Sequence, residues 1–513
     1  MSDVNNNSVM QGKVNITSLG QDSIITTEVN EEFSLPDYVP EVRKVLCVRA
    51  KVLPEGKFMS DSGSNTNLEF DGIVTYNVIY TDDEGKLCST PLQSNYEAQS
   101  VISASPSYVM IDTYADSTVC RVLAPRKLTI KSKLKSKLIP FYENVIEENI
   151  SPLSPSDRIY LEKRTKNLHT LSKKAVYMQN IRMSDKFDYN GKNELTPIMC
   201  DATMTLSDCK AQNGSISARG EVKINCLCFD GERDIMLIKS LPIYEDLDAE
   251  GATPSDMVRC NGRCVSLSIS NEPNSDTPQL FFEINCEIEG EFYRNEENTV
   301  TEDCYSTKHE MTVEQRDIDV YTVADARSYS FSVNDKFKRK DNNISEIIHV
   351  LCDAVNDKVE VKNSKCTASG RILAQVIGKS SATDTKESEY LTELYEIPFK
   401  HEMGRCSDDM QYRLTYDISL DNARYDGDKF SLSAEVYPSY ALFNKSKETI
   451  IGSATIKKDK EFKRDAASVR VFFPKNGDIL WEVAKKYHTT ERKIMEDNSL
   501  PSDSLEGVKS III

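Results

Sequence analysis

The chain has 513 residues. That is too long for one hydrophobic core, and at about 150 residues per domain it predicts three or four domains. Its 63 Lys and Arg against 81 Asp and Glu give a net charge of −18, which argues against general binding to nucleic acid or to anionic membranes, since both would be repelled.

Residues 1–11 are polar and Asn-rich, with neither a basic start nor an apolar centre, so no secretion signal is expected there. No run of about 18 apolar residues occurs, so no membrane span is expected. The 14 cysteines are scattered, often at strand-like apolar positions. Without an export signal they are expected to be reduced thiols of a cytosolic protein.

From the N-terminus onward, three sets of anchors recur. Leu46-Cys47, Met199-Cys200 and Leu351-Cys352 are separated by 153 and 152 residues. Phe33, Phe187 and Phe337 are separated by 154 and 150, and Gly72, Gly220 and Gly370 by 148 and 150. Each glycine opens an alternating segment: Val74, Tyr76 and Val78; Val222, Ile224 and Cys226; Ile372, Ala374 and Val376. A period of two predicts strands with one face in a core and the other in water.

Turn-prone loops follow, Thr81-Asp82-Asp83-Glu84-Gly85 in the first unit and Phe229-Asp230-Gly231 in the second. A proline then marks a further segment in each unit, Pro91, Pro242 or Pro398. The third loop, residues 378–388, is the longest and reads as a surface insertion. More alternating runs, 128–138, 281–292 and 430–437, close the units. The pattern predicts a mainly β body of three tandem sandwich-like or barrel-like repeats, 10–160, 161–312 and 313–456. A charged linker, 457–468, is expected to lead to the tail, 469–513.

Signatures of catalysis are scarce. Gly378-Lys379-Ser380 echoes the end of a phosphate loop, but Leu373 stands where a glycine is required. Cys226 and Cys228 share one face of a strand, which a core face explains. Cys260 and Cys264 have the spacing of a metal pair without a second close pair or a nearby histidine. His169, His309, His349, His401 and His488 are far apart in sequence. The chain is therefore expected to be no enzyme and to hold no metal or cofactor. Lys127, Lys131, Lys133, Lys135 and Lys137 alternate with apolar residues. They predict the wet face of an edge strand, where lysine discourages edge-to-edge pairing. The alternative is a basic ribbon for an acidic partner.

The tail opens with apolar Val471, Phe472 and Phe473 and a turn at Asn476-Gly477. Asp478 is the predicted cap of a helix whose apolar positions are Leu480, Val483, Ala484 and Tyr487. Thr490 caps a second helix with Ile494 and Met495, and Ile511, Ile512 and Ile513 form a last strand. The tail holds seven basic and seven acidic residues, so the body carries the whole −18.

This β-α-α-β order resembles a LysM module. The matching residues are Gly477-Asp478-Ile479-Leu480-Trp481-Glu482-Val483-Ala484-Lys485-Lys486-Tyr487, then Thr489-Thr490, with Asn498 closing the second helix. Ile479 stands where the family usually has threonine. In LysM modules an N-acetylglucosamine chain lies between two loops, here residues 475–480 and 499–505. The resemblance implies contact through Lys475, Asn476, Gly477, Asp478, Ile479, Leu480, Trp481, Ser499, Leu500, Pro501 and Ser502. Trp481, the single tryptophan, is expected to pack against Phe473 or to anchor a partner.

Three such repeats before one LysM module resemble the SipL-type spore-coat morphogenetic proteins, whose repeats are called SPOCS domains. The clearest local match is Leu35-Pro36-Asp37-Tyr38-Val39-Pro40 before Val45-Leu46-Cys47. The second and third repeats lack Pro-Asp there. The resemblance implies a non-enzymatic scaffold in the mother-cell cytosol at the forespore surface. Its LysM module would bind a morphogenetic ATPase, the stage IV sporulation protein A, and its repeats would help other coat proteins encase the spore. The alternative is a peptidoglycan-binding LysM protein.

Overall fold

The computed structural model describes residues 8–153, 155–191, 193–271, 279–340, 344–381, 388–463 and 470–513. The first repeat contributes β1 (Ser8–Leu19), β2 (Ser23–Ser34), β3 (Lys44–Ser62), β4 (Asn65–Thr81), β5 (Leu87–Ser103), β6 (Tyr108–Ala124) and β7 (Lys127–Leu153). A one-turn helix, α1 (Pro155–Arg158), leads to the second. That repeat holds β8 (Leu161–Lys186), β9 (Thr196–Gln212), β10 (Ser215–Phe229), β11 (Asp234–Asp248), β12 (Met257–Asn271) and β13 (Leu280–Ser306). The third holds β14 (His309–Ser328), β15 (Phe331–Lys338), β16 (Ile344–Lys362), β17 (Lys365–Ser380), β18 (Tyr390–Arg405), β19 (Gln411–Asp426) and β20 (Lys429–Glu461). Among the described residues no helix is long and apolar enough to cross a membrane.

Each repeat is a sandwich of two antiparallel sheets. In the first, β3-β4-β5 faces β2-β7-β6, and the same arrangement returns as β9-β10-β11 with β8-β13-β12 and as β16-β17-β18 with β15-β20-β19. The predicted alternation is what fills them. Leu68, Phe70, Val74, Tyr76 and Val78 of β4 are buried while Glu69 and Asp71 are exposed. The anchor glycines share one cause. A methyl group on Gly72 would collide with the carbonyl of Leu53, on Gly220 with that of Thr205, and on Gly370 with that of Val355. Each sits at a bulge where the neighbouring backbone presses in.

The long strands β7, β13 and β20 run past their sandwiches. Their C-terminal halves pair with β1, with the first half of β8 and with β14. A short parallel bridge joins β7 to β20, Ala454 opposite Ile150. These ribbons form a stem around an approximate three-fold axis. Each gives two residues to one apolar layer: Ile16 and Ile146, Leu168 and Val300, Val320 and Ile450. Burying such a side chain contributes about 1.5–3 kcal/mol.

Apolar and charged layers alternate along the axis. At the sandwich end Ile79, Leu227 and Ile377 pack with Leu46, Met199 and Leu351. A nearby charged layer joins all three repeats, where Arg49 pairs with Asp201 at 2.7 Å and with Asp353 at 2.6 Å. Burial keeps His349 neutral beside it, with its pKa lowered to about 4. Another charged layer centres on Glu291, which meets Arg259 at 3.3 Å and also pairs with Arg413, itself 2.5 Å from Asp112. Phe141, Tyr293 and Phe443, one from each repeat, then meet edge to face with Phe443 in the middle, at 5.9 and 5.2 Å.

Several expectations are corrected. The anchor cysteines do not share one environment. Cys47 borders the axial cluster, whereas Cys200 and Cys352 pack on the cores of their own repeats. Bulges at different points in β3, β9 and β16 reset the strand faces, because a one-residue slip reverses every side chain. The residues before the cysteines, Leu46, Met199 and Leu351, are the ones that converge.

The lysine-bearing strand is no edge. β7 is flanked by β2 and β6, Lys135 pairs with Asp116, and Lys137 pairs with Asp22 and covers the Tyr412 ring of the third repeat at 3.8 Å. Pro242 and Pro398 lie opposite Glu221 and Arg371, one residue past their glycines, but Pro91 lies opposite Asn77, five past Gly72. The expected linker begins as strand, since β20 runs to Glu461 opposite His309. Residues 464–468 of that linker, and 382–387 of the long third loop, lie outside the described residues.

Candidate functional site

The tail folds as β21 (Val471–Phe472), α2 (Leu480–Lys486), α3 (Glu491–Asn498) and β22 (Ile511–Ile512). β21 and β22 pair antiparallel, Val471 with Ile512 and Phe472 with Ile511. Leu480, Val483, Ala484, Ile494 and Ile511 make the small core. Thr490 caps α3 as expected, its hydroxyl accepting from the Lys493 amide at 3.1 Å. Asn498 ties the module shut: its side chain donates to the Ile512 carbonyl at 2.7 Å and accepts from the Ile512 amide at 2.6 Å.

Asp478 does not cap α2. Ile479 is the residue at that position, and Asp478 instead accepts the Lys475 amide at 2.8 Å. The carboxylate thus closes a turn with Gly477, whose φ of 94° favours glycine. That turn sets residues 475–479 on the surface, where Lys475, Asn476, Gly477, Asp478 and Ile479 are all exposed. A depression of about 420 Å³ lies beside it, bounded by Phe472 and Phe473 on one side and by Glu482 and Lys486 on the other. Ser499, Pro501 and Ser502 are also exposed and Leu500 is half-buried, but these residues do not line the depression. Leu480 and Trp481 are buried and turned inward.

Trp481 does not pack against Phe473, which is 68% exposed. It is held by the body. Its indole N–H donates to Asp303 at 2.8 Å, and Lys485 donates to the same carboxylate at 2.6 Å. The Tyr305 ring meets the indole edge to face at 4.8 Å, and the Tyr305 hydroxyl donates to the Thr489 carbonyl at 2.8 Å. Phe462, just past β20, stacks on His488. The module is therefore seated on the second repeat's ribbon, with the 475–479 turn away from that contact.

Nothing in the local sequence marks Asp303 and Tyr305 for this task. They sit near the end of β13, 178 residues before Trp481 in the case of Asp303. The exposed turn offers backbone amides, short polar side chains and the apolar surface of Ile479 and Phe473. That mixture suits a ligand with hydroxyls on its rim and C–H groups on its faces.

Cys226, Cys228 and His401 have structural surroundings. Cys226 and Cys228 touch at 3.5 Å within the second core. His401 is bracketed by the hydroxyls of Tyr329 and Tyr416, at 2.5 and 2.8 Å. Burial lowers its pKa to about 4. Gly378-Lys379-Ser380 ends a strand, and Lys379 pairs with Asp234 of the second repeat at 2.6 Å. Among the described residues no group of three or more His, Cys, Asp or Glu is placed to hold a metal ion.

Comparison with curated proteins and with solved structures gave no significant match. The family model described as the LysM domain matches residues 475–513, so the chain ends in a LysM domain that is seated on a three-repeat β body.

Proposed function

We propose that the chain is a non-enzymatic scaffold that adheres through its LysM domain, with the three repeats as a rigid base. A LysM domain supports binding of peptidoglycan or a related N-acetylglucosamine polymer. The observation that carries the proposal is the seating of the domain. Its inner face is occupied by Asp303 and Tyr305, and the turn at Lys475, Gly477 and Ile479 stays open to a ligand. Sedimentation of the full chain with purified peptidoglycan tests it. The chain is expected to pellet, and Ile479→Glu to weaken binding by about tenfold, the loss of about 1.4 kcal/mol. A chain that stays in the supernatant contradicts the glycan reading.

A second reading has its own support. Phe473 and Ile479 are exposed apolar residues, and Lys475, Lys486 and Glu482 stand around them at one depression that the 499–502 loop does not reach. Such a surface suits a protein partner. Together with three β repeats before the domain, it fits a cytosolic scaffold of endospore coat assembly at the forespore surface, binding the morphogenetic ATPase and, through its repeats, other coat proteins. Several weak contacts on one chain would hold a lattice through effective concentration. Capture of the ATPase by the full chain, lost in Ile479→Glu, would favour this reading over the first. Absence of capture would count against it.

A further inference from the structure

Among the described residues two thiol pairs lie directly opposite each other across antiparallel strands, Cys200 with Cys226 and Cys264 with Cys286, and the second differs in its charge surroundings. Cys264 of β12 and Cys286 of β13 are directly opposite in the antiparallel register, and their sulfurs are 3.7 Å apart. Directly opposed antiparallel residues have Cα separations of about 4.5–5.5 Å, inside the range a disulfide spans. The register shifts just after Cys264, with a bulge at exposed Val265. Closure to a bond thus needs side-chain rotation and a small strand adjustment at a place already irregular.

Access and charge favour the same pair. Cys264 is partly exposed and Cys286 is buried. Lys51 of the first repeat acts electrostatically on both sulfurs while its ammonium pairs with Asp201 at 2.9 Å. The Lys51 side chain is 38% exposed, so solvent reaches this junction. The contact between the two sulfurs, helped by Lys51, holds the Cys286 thiol below its ordinary value, while the same contact and burial raise the Cys264 thiol. A thiolate stabilised beside a cation is the reactive form in exchange. By contrast, Cys226 is opposed by Cys200 across β9 and β10, but that contact raises the Cys226 thiol, and Cys226 and Cys228 are buried in a core.

We propose that Cys264 and Cys286 form an oxidation site that closes to a disulfide by exchange with a low-molecular-weight disulfide. One thiol of the pair loses its proton and attacks the external disulfide, releasing one small thiolate and leaving a mixed disulfide. The second thiol loses its proton and attacks the protein sulfur of that bond, releasing the second small thiolate. The protein pair is oxidised by two electrons, the small disulfide is reduced to two thiols, and both protons end on those products. The bond ties β12 to β13 beside the joint that Lys51 and Asp201 make between the first two repeats.

The test uses the reduced full-length chain incubated with oxidised glutathione at neutral pH, alkylated, digested and read by mass spectrometry. The expected product is a peptide pair linked through Cys264 and Cys286, released by dithiothreitol, with the remaining thiols alkylated. Cys264→Ser should abolish that linkage, and Cys366→Ser should leave it. Lys51→Gln should slow closure about 3- to 10-fold, as expected for losing a cation beside a thiolate; an unchanged rate removes Lys51 from the account. Full alkylation of both cysteines after exposure, a glutathione adduct that never closes, or an earlier linkage at another pair would each overturn the assignment.

Discussion

The body and the C-terminal domain are held by opposite strategies. Around the axis each repeat gives a like element to a shared layer, as Ile79, Leu227 and Ile377 do, or Phe141, Tyr293 and Phe443. The LysM domain is held off the axis, by Asp303 and Tyr305 of β13 and by Phe462 just past β20, which stacks on His488. Sequence repetition thus builds a base that is nearly symmetric, and an asymmetric seat decides where the LysM domain sits. The charged axial layers already depart from symmetry, because one Arg49 serves two aspartates. Three copies of one charge on an axis would repel, so like folds need unlike residues there.

The contrast predicts a hierarchy of damage. The largest effect belongs to the axis. Arg49→Met leaves Asp353 without its cation and Asp201 with Lys51 alone, and should lower the unfolding free energy by about 3 kcal/mol in urea titration, the low end for breaking a buried pair. A loss confined to one repeat would show that the layers do not couple the three.

Next comes the seat of the domain. Asp303→Ala strands the Trp481 indole and the Lys485 ammonium at a buried contact, a cost of about 1–3 kcal/mol. Tryptophan fluorescence should shift to the red as Trp481 meets water, while the far-ultraviolet signal of the body stays. Thr490→Ala removes the cap of α3 and should cost about 1 kcal/mol, visible only in the domain.

A further effect is a change in pH dependence at the axis. Burial raises the Asp417 carboxyl to about 7, and the Lys51 ammonium and Arg259 guanidinium that act on it only partly offset this. A carboxyl whose folded value lies above its unfolded one loses stability as pH rises from about 4 to about 7. Asp417→Asn should therefore gain most over the parent near pH 8 and least near pH 4, by urea midpoints. His349 and His401, both lowered by burial, act the other way, costing stability as pH falls from about 6.5 to about 4. A flat difference between Asp417→Asn and the parent would show that the carboxyl is solvated.

Much of the body was legible in the sequence because close packing of strands leaves a period of two and demands glycine where backbones touch. Gly72, Gly220 and Gly370 located equivalent strands in all three repeats for that reason. The cysteine beside each apolar anchor was a weaker guide, since bulges reverse strand faces without leaving a compositional trace. The lysines of β7 alternate whether the strand is at an edge or in the centre, so pairing was beyond their pattern. The closure of the repeats about an axis was likewise hidden, because Arg49, Asp201 and Asp353 are brought together across more than 150 residues. In the tail, the helix spacing and the Thr490 cap were readable locally. The role of Trp481 was not, because its partners belong to another repeat.

Hydrogen exchange of the full chain, with and without soluble peptidoglycan fragments, tests the central claim most directly. The account predicts new protection at residues 475–479, with α2 and the end of β13 unchanged and still protected. Unaltered exchange at 475–479, or a loss of protection in α2 as ligand is added, would contradict a seated domain that adheres through its open turn.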